Sequence, residues 1–416
     1  MGRRVLRNAR DRNGRRVDVA IDDLGTIVDV SSSITATTDD TATDLAGWLL
    51  LPSMVEPHAH LDKALTADKV PNPRGDLMGA IEAWVDAAGR GVFGLDEMTE
   101  RAVASLERLV YSGVTHVRTH VNVGEGDPEL VHLRAVQAAA HEMRDLMTVQ
   151  TVALMHSPLS GSAGAENRRF LVRALGLGAD LVGGCPHLEV DGAGMIEVAL
   201  DAAEEAGVGL DLHVDETLDP SMLTLVELAR QVSDRGVTEP VTASHCVSLS
   251  MAPLAEQNRI AREVAGAGIS IVALPQTNLF LQGWEHPTAT PRGITPIDVL
   301  RRNGVVVAGG GDNVQDPFNP VGRSDPLETA ALLVMAAHQR PEDAWSMVAD
   351  DARRVLGVRP VDVAIGSTAD LVAVDTGSIR SAIAEAPVAR RVFRSGREVA
   401  VTSTSRRLFR DRHSYE

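Results

Sequence analysis

The sequence predicts an α/β protein, a (β/α)8 TIM-type barrel with a small β domain formed by both chain ends. Three observations carry this reading. From about residue 51 to 355, short apolar runs alternate with amphipathic, Ala-rich helical stretches. The flanks, 1–50 and 356–416, read instead as short strands and turns. The histidines and acids with the look of a reactive site fall at the ends of the apolar runs. Repeated strand–helix units imply parallel pairing, and eight of them close into a barrel whose active site lies at the C-terminal strand ends. A chain of 416 residues holds such a barrel, at about 250 residues, and a second unit.

Taken in order, "RRVDVAIDDLGTIVDV" alternates apolar and polar residues around a glycine, as a half-buried hairpin does. The Thr/Asp-rich "TATTDDTATD" reads as a surface loop. The barrel strands are expected in "LLLPSMVEPH", "VTHVRTHV", "MTVQTVALM", "ADLVGGCP", "GVGLDLHV", "PVTASH", "ISIVALP" and "GVVVAGGGD". Between them, "EMTERAVASLERLVYSG" and "PSMLTLVELARQVSDRG" have helical spacing and a glycine stop. After about 356, "GSTADLVAVD" and "VARRVFRSGREVAV" read as strands that return to pair with the N-terminal ones.

Bulk composition narrows the function classes. A net charge of -17 argues against a general nucleic-acid binder. Two cysteines, Cys185 and Cys246, offer no disulfide framework or zinc ribbon, which suits a reducing, cytoplasmic location. The N-terminus has charge but no apolar core of a secretory signal. No apolar run approaches the roughly 20 residues that span a bilayer, so no membrane partner is expected.

The most informative feature is His58-Ala59-His60, at the end of the first apolar run. Side chains alternate along a strand, so both rings share a face and can converge on one cation. Imidazole suits zinc and iron, and an added carboxylate is compatible with both. His213 in "GLDLHVDET" supplies a third nitrogen and Asp312 in "VVVAGGGDNVQDP" an oxygen. Each alone reads as an ordinary polar residue; four gathered at strand ends read as one site for one divalent metal ion, zinc or iron. Glu216, three residues after His213, is placed to move a proton between water and a leaving nitrogen. His245, ending "PVTASH", is placed to orient the water or stabilise a developing oxyanion. His132, His141 and His338 fall on helical stretches and read as surface residues. The only lysines, Lys63 and Lys69, lie outside the fourth strand, which disfavours a carbamylated-lysine, two-metal site. Pro-Cys-x-x-Cys is absent, so the zinc nucleobase deaminases that carry it are a different architecture.

The motifs "VEPHAHLDK", "HVRTHV", "DLVGGCPH", "LHVDE", "VTASH", "NLFLQG", "RGIT" and "GDNVQDPFNP" occur in the order seen in the amidohydrolase superfamily. Over nearly its full length the chain resembles that superfamily and, within it, the bacterial cytosine deaminase group. The resemblance implies a mononuclear metal on His58, His60, His213 and Asp312, with Glu216 as the proton-shuttling acid and His245 positioning the water. Gln282 in "NLFLQG" also matches and is grouped with the substrate-binding residues. Two positions depart from the group. His156 stands where cytosine deaminases place a glutamine that reads the pyrimidine, and Asn313 where they carry a second aspartate. Triazine aminohydrolases resemble the chain at Asn313 and Lys63 but differ at Glu216. Lys63, His156 and Asn313 are therefore expected to contact substrate and to set it apart from cytosine. The reading is a metal-dependent hydrolytic deaminase of a small cyclic amine such as a cytosine-like pyrimidine. The alternative is cleavage of another C–N bond, as in a cyclic amide or an N-alkylamino triazine. Family members are commonly homo-oligomers, and the same is expected here. A binding protein without catalysis would have lost a ligand or the acid, and none is lost.

Overall fold

The computed structural model describes residues 2–124 and 126–408. Two sheets organise it. The first joins the chain ends: β1 (Arg4–Arg10), β2 (Arg16–Ile21), β3 (Ile27–Ser31), β4 (Thr41–Asp44) and β5 (Leu49–Pro52) meet β14 (Leu371–Val374), β15 (Arg390–Arg394) and β16 (Arg397–Val401). Its order is β16-β15-β14-β5-β1-β2-β3, with β4 on β1. β14 pairs antiparallel with β5, Leu371 opposite Pro52 and Val374 opposite Leu49. This is the expected union of the two ends.

The second sheet is the barrel. It comprises β6 (Met54–Ala59), β7 (Val114–Val123), β8 (Thr148–Met155), β9 (Leu181–Gly183), β10 (Gly209–Val214), β11 (Val241–His245), β12 (Ser270–Ala273) and β13 (Val307–Gly309), paired in sequence order and parallel. The ring closes through a parallel bridge between Ala59 and Asp312. Helices cover the outside. α1 (Leu77–Gly89) and α2 (Leu95–Tyr111) follow β6, and α3 (Val131–Glu142) follows β7. α2 shows the local logic: Asp96 and Glu97 sit in its first turn against the positive end of the helix dipole, and Met98, Ala102, Leu106, Leu109 and Val110 form its buried stripe. Each fully buried leucine contributes about 1.5–3 kcal/mol. The chain then turns at Gly113, φ +94, where a side chain would also meet Val372. Among the described residues no helix is long and apolar enough to cross a membrane.

Two expectations need correction. The apolar run from Leu49 to His58 is two strands, not one: Leu49–Pro52 joins the end sheet and Met54–Ala59 the barrel. Ser53 marks the change of partner; its N–H reaches Asp370 while the N–H of Met54 reaches Gly113. The loop expected at 35–44 ends in β4, a parallel partner of β1. That strand is polar and largely exposed, so it carries no apolar signal.

The end sheet is tied to the barrel by Arg390, which is 3% exposed. Its guanidinium donates to both carboxylate oxygens of Asp325, at 2.9 and 2.6 Å, and to the carbonyls of Ser112 and Pro387. Truncation leaves Asp325 without its counter-ion. Arg390→Ala is expected to lower stability by about 1.5–3 kcal/mol, read from chemical denaturation; an unchanged midpoint would show that the pair does not hold the two sheets together.

Candidate metal centre and active-site cavity

Each sequence-predicted metal ligand lies at the C-terminal rim of the barrel. His58 is near the end of β6 and His60 is one residue beyond it. His213 is in β10, and Asp312 follows β13. Their ring and carboxylate atoms converge. His60 Nε2 lies 3.4 Å from His58 Nε2 and 3.2 Å from His213 Nε2. Asp312 Oδ1 lies 3.5 Å from His58 Nε2 and 3.2 Å from His60 Nε2. Donors bound tetrahedrally at 2.0–2.1 Å stand about 3.3 Å apart, so the set matches the edges of such a cage. Neither oxygen of Asp312 has a hydrogen-bond partner although both are buried. Burial, followed by the crowding of the other imidazoles, holds His58 and His213 well below the ordinary imidazole value, which favours their neutral forms. Neutral imidazoles and an unpartnered carboxylate are what a divalent cation requires, and the residues present fit one.

The backbone turns sharply to make this arrangement. Asp215, His245 and Asp312 all adopt left-handed φ, at 52°, 70° and 62°. Such conformations are costly outside glycine and gather where a site dictates the direction of a side chain. Gly310 and Gly311 admit the chain beside Glu56, where a Cβ would stand 3.0 Å from a carboxylate oxygen. Glu56 accepts the N–H of Gly311 at 3.0 Å and of His58 at 3.1 Å.

A second polar layer lies beneath. His58 Nδ1 is 2.9 Å from Ser244 Oγ, which donates to Asp211 Oδ1 at 3.0 Å. Arg118 donates to Asp211 Oδ2 at 2.9 Å. The His120 ring stacks on His58 with centroids 3.9 Å apart and places Nε2 3.5 Å from Asp211. Burial alone raises the Asp211 carboxyl, but His120 and Arg118 outweigh it and hold it below the ordinary value. With Nδ1–H of His58 directed at Ser244, its Nε2 lone pair faces the cage. Sequence reasoning passed over Arg118, His120, Asp211 and Ser244. Strand parity reaches three of them, because Asp211 shares a face with His213 and Arg118 with His120 and Asn122; Ser244, next to His245 in the chain, is not reached this way.

Above the cage is a cavity of about 500 Å³. Glu216, His245, Lys63, His156 and Asn313 all line it, as do His60, His213 and Asp312. Glu216 is buried; that burial, then the Asp312 charge, pushes its carboxyl well above the ordinary range. Its Oε1 is 3.4 Å from His245 Nδ1. Asn278, another residue the sequence did not single out, places Nδ2 3.0 Å from the same Nδ1. With that amide donating, the ring proton sits on Nε2. Lys63 Nζ donates to Asn122 Oδ1 at 2.8 Å and lies 3.1 Å from His60 Nδ1. Asn313 donates to Asp316 at 2.7 Å. Burial brings His156 down to about 4. Gln282 does not reach the cavity; its amide donates to the carbonyl of Glu216 at 3.1 Å and so fixes the segment that carries the acid. His132, expected on the surface, is buried on α3 with Nδ1 3.0 Å from Asp62. It faces the barrel through Asp62, a partner that helical spacing alone does not reveal. His141 and His338 are exposed as expected.

Asp211→Asn removes the charge that orients His58 through Ser244. Loss of such an outer partner costs about 10–100-fold in metal affinity. Competition with a chelator of known affinity is expected to show that loss, and an unchanged dissociation constant would mean the chain beneath His58 is structural only.

The chain matches the Amidohydrolase family over residues 94–400. It is 32% identical to the pterin deaminase of Rhizobium rhizogenes over 365 residues, 86% of this chain and 82% of that one. The crystal structure of 5-methylcytosine deaminase from Klebsiella pneumoniae with phosphonocytosine superposes with a TM-score of 0.88 at 29% identity, covering 97% of this chain and 100% of that one. N-isopropylammelide isopropylaminohydrolase from Burkholderia multivorans gives 0.83 at 29% identity, covering 96% and 99%. The chain belongs to the amidohydrolase family and is a hydrolase acting on C–N bonds.

Proposed function

We propose that this amidohydrolase is a metal-dependent hydrolytic deaminase of a small cyclic amine, with His58, His60, His213 and Asp312 holding a single zinc or iron ion. The observation that carries the reading is Glu216, a buried carboxyl that lines the cavity with Asp312 and stands 3.4 Å from His245, its proton affinity raised by burial. The similarity to a pterin deaminase and a 5-methylcytosine deaminase supports it.

A divalent ion in this cage supplies a Lewis acid that eases ionisation of a water molecule. The residues do the rest. His245 and Asp312 orient the water toward the ring carbon that bears the amine. Glu216, protonated at the outset, gives its proton to the ring nitrogen, takes one from the attacking water, passes that proton to the departing nitrogen, and takes the water's second proton as the carbonyl forms. One water is consumed, one ammonia leaves, and Glu216 ends in the state in which it began. The low polarity around Glu216 favours its neutral form before the step, which matches a proton donor. Lys63, Asn313 and His156 face the same space and bind the ring. Gln282 acts through the Glu216 backbone.

A second reading is cleavage of an N-alkyl C–N bond. It is favoured by the similarity to N-isopropylammelide isopropylaminohydrolase. The chemistry at the cage is the same and only the leaving amine differs.

Metal-loaded protein is to be tested against cytosine, isocytosine, creatinine, aminotriazines and N-isopropylammelide, with ammonia and isopropylamine measured separately. Ammonia from a ring amine is expected. Isopropylamine alone would favour the second reading. Glu216→Gln is expected to keep its metal and lose about 10²–10⁴-fold in kcat; a fully active variant would remove Glu216 from the proton path.

A further inference from the structure

The cavity has two unlike ends. Its floor is polar, formed by the cage with Glu216, Lys63 and Asn313. Its outer wall is apolar and comes chiefly from α1, the helix inserted after the first barrel strand. Leu77, Ile81, Trp84 and Val85 repeat at helical spacing, with Met78 beside them, and all five border the cavity. A stripe of this kind on a surface helix normally faces the core. Here only Trp84 is buried, at 4% exposure; Met78 remains 47% and Val85 59% exposed.

The helix is held in this position. Asp76 caps it by accepting the N–H of Gly79. Asn72 donates to the carbonyl of Pro317 across the mouth at 3.2 Å, and Phe318 next to it forms part of the cavity wall. Trp84 stacks on Phe93 at 4.5 Å and lies 5.7 Å below the Lys63 ammonium. The apolar wall is therefore a fixed surface, continuous with the polar floor.

Size decides what covers it. Cavities of about 300–1,000 Å³ enclose ligands of many heavy atoms, and this one is about 500 Å³. A single six-membered ring amine seated on the cage leaves the α1 wall in water. We propose that the substrate is a ring amine with an apolar extension, a fused second ring or an aryl or alkyl arm, on the ring edge remote from the departing amine. That extension lies against Met78, Ile81 and Val85. The inference rests on the deaminase reading for the orientation of the ring and extends it to the substrate class.

The test separates the two. The probes are 2-amino-4-oxopyrimidine and its 5-phenyl and 6-phenyl derivatives, whose substituents stand on the edge away from the amine. Binding to metal-loaded protein is measured by calorimetry, and ammonia release is measured separately. At least one phenyl derivative is expected to bind about tenfold or more tightly than the bare ring, in line with the discrimination an apolar pocket provides. Met78→Ser with Val85→Ser is expected to bring that ratio down toward one with an unchanged melting temperature. Equal affinities, or no binding of either phenyl derivative, would overturn the inference, as would a ratio insensitive to the double variant. Tight binding without ammonia release would leave the inference standing and count against the deaminase reading. Ammonia release with no preference for the arm would do the reverse.

Discussion

The closure of the barrel between its first and last strands is the constraint on which the site depends. Glu56 accepts N–H groups from His58 and Gly311, and the N–H of Asp312 reaches the carbonyl of His58 at 2.9 Å. These bonds bring residues more than 250 positions apart into one register. They set the Asp312 carboxylate against the two imidazoles of the first strand. Without that closure the four donors do not meet. Burial, with the Asp312 charge in the same direction, raises Glu56 to about 8, although the two N–H groups work against it. The closure is therefore made by a group that burial biases toward its carboxylic acid form at neutral pH.

Beneath the cage lies a cluster of buried polar groups, where branched apolar side chains are typical of such barrels. Arg118, Asp211, Thr242, Ser244 and His120 are all essentially inaccessible to solvent. A buried ion pair is by itself a poor source of stability, because desolvation offsets the Coulombic gain. Its use here lies in orientation. It sets the direction of the His58 ring, and the stacked His120 restricts the ring plane. Above the cage the polarity reverses, as α1 and Phe318 form an apolar wall. The site thus joins a polar floor to an apolar approach.

Much of this was legible in the sequence. The eight apolar runs each hold a barrel strand, and the metal-type residues at their ends meet because parallel strands in a barrel bring all C-terminal ends together. The break at Ser53 was not legible, since a continuous apolar run carries no mark of a change in pairing partner. β4 was hidden by its polar, exposed character. Asp211 and His120 look like any polar strand residue until parity is applied. Gln282 and Asn278 stand close in one motif, yet one holds a backbone carbonyl and the other a cavity-lining imidazole, a distinction that only tertiary placement makes. The role of α1 is of the same kind: its stripe is visible in the sequence, but not that the stripe borders a cavity instead of the core.

The central claim is that three imidazoles and one carboxylate of this chain enclose one divalent ion. X-ray absorption at the metal edge, combined with metal content per chain, reads it directly. The account predicts one ion per chain, with the multiple-scattering signature of about three imidazoles, oxygen in the remaining positions and no sulfur. Two ions per chain, or a coordination sphere containing sulfur or fewer than three imidazoles, would contradict it.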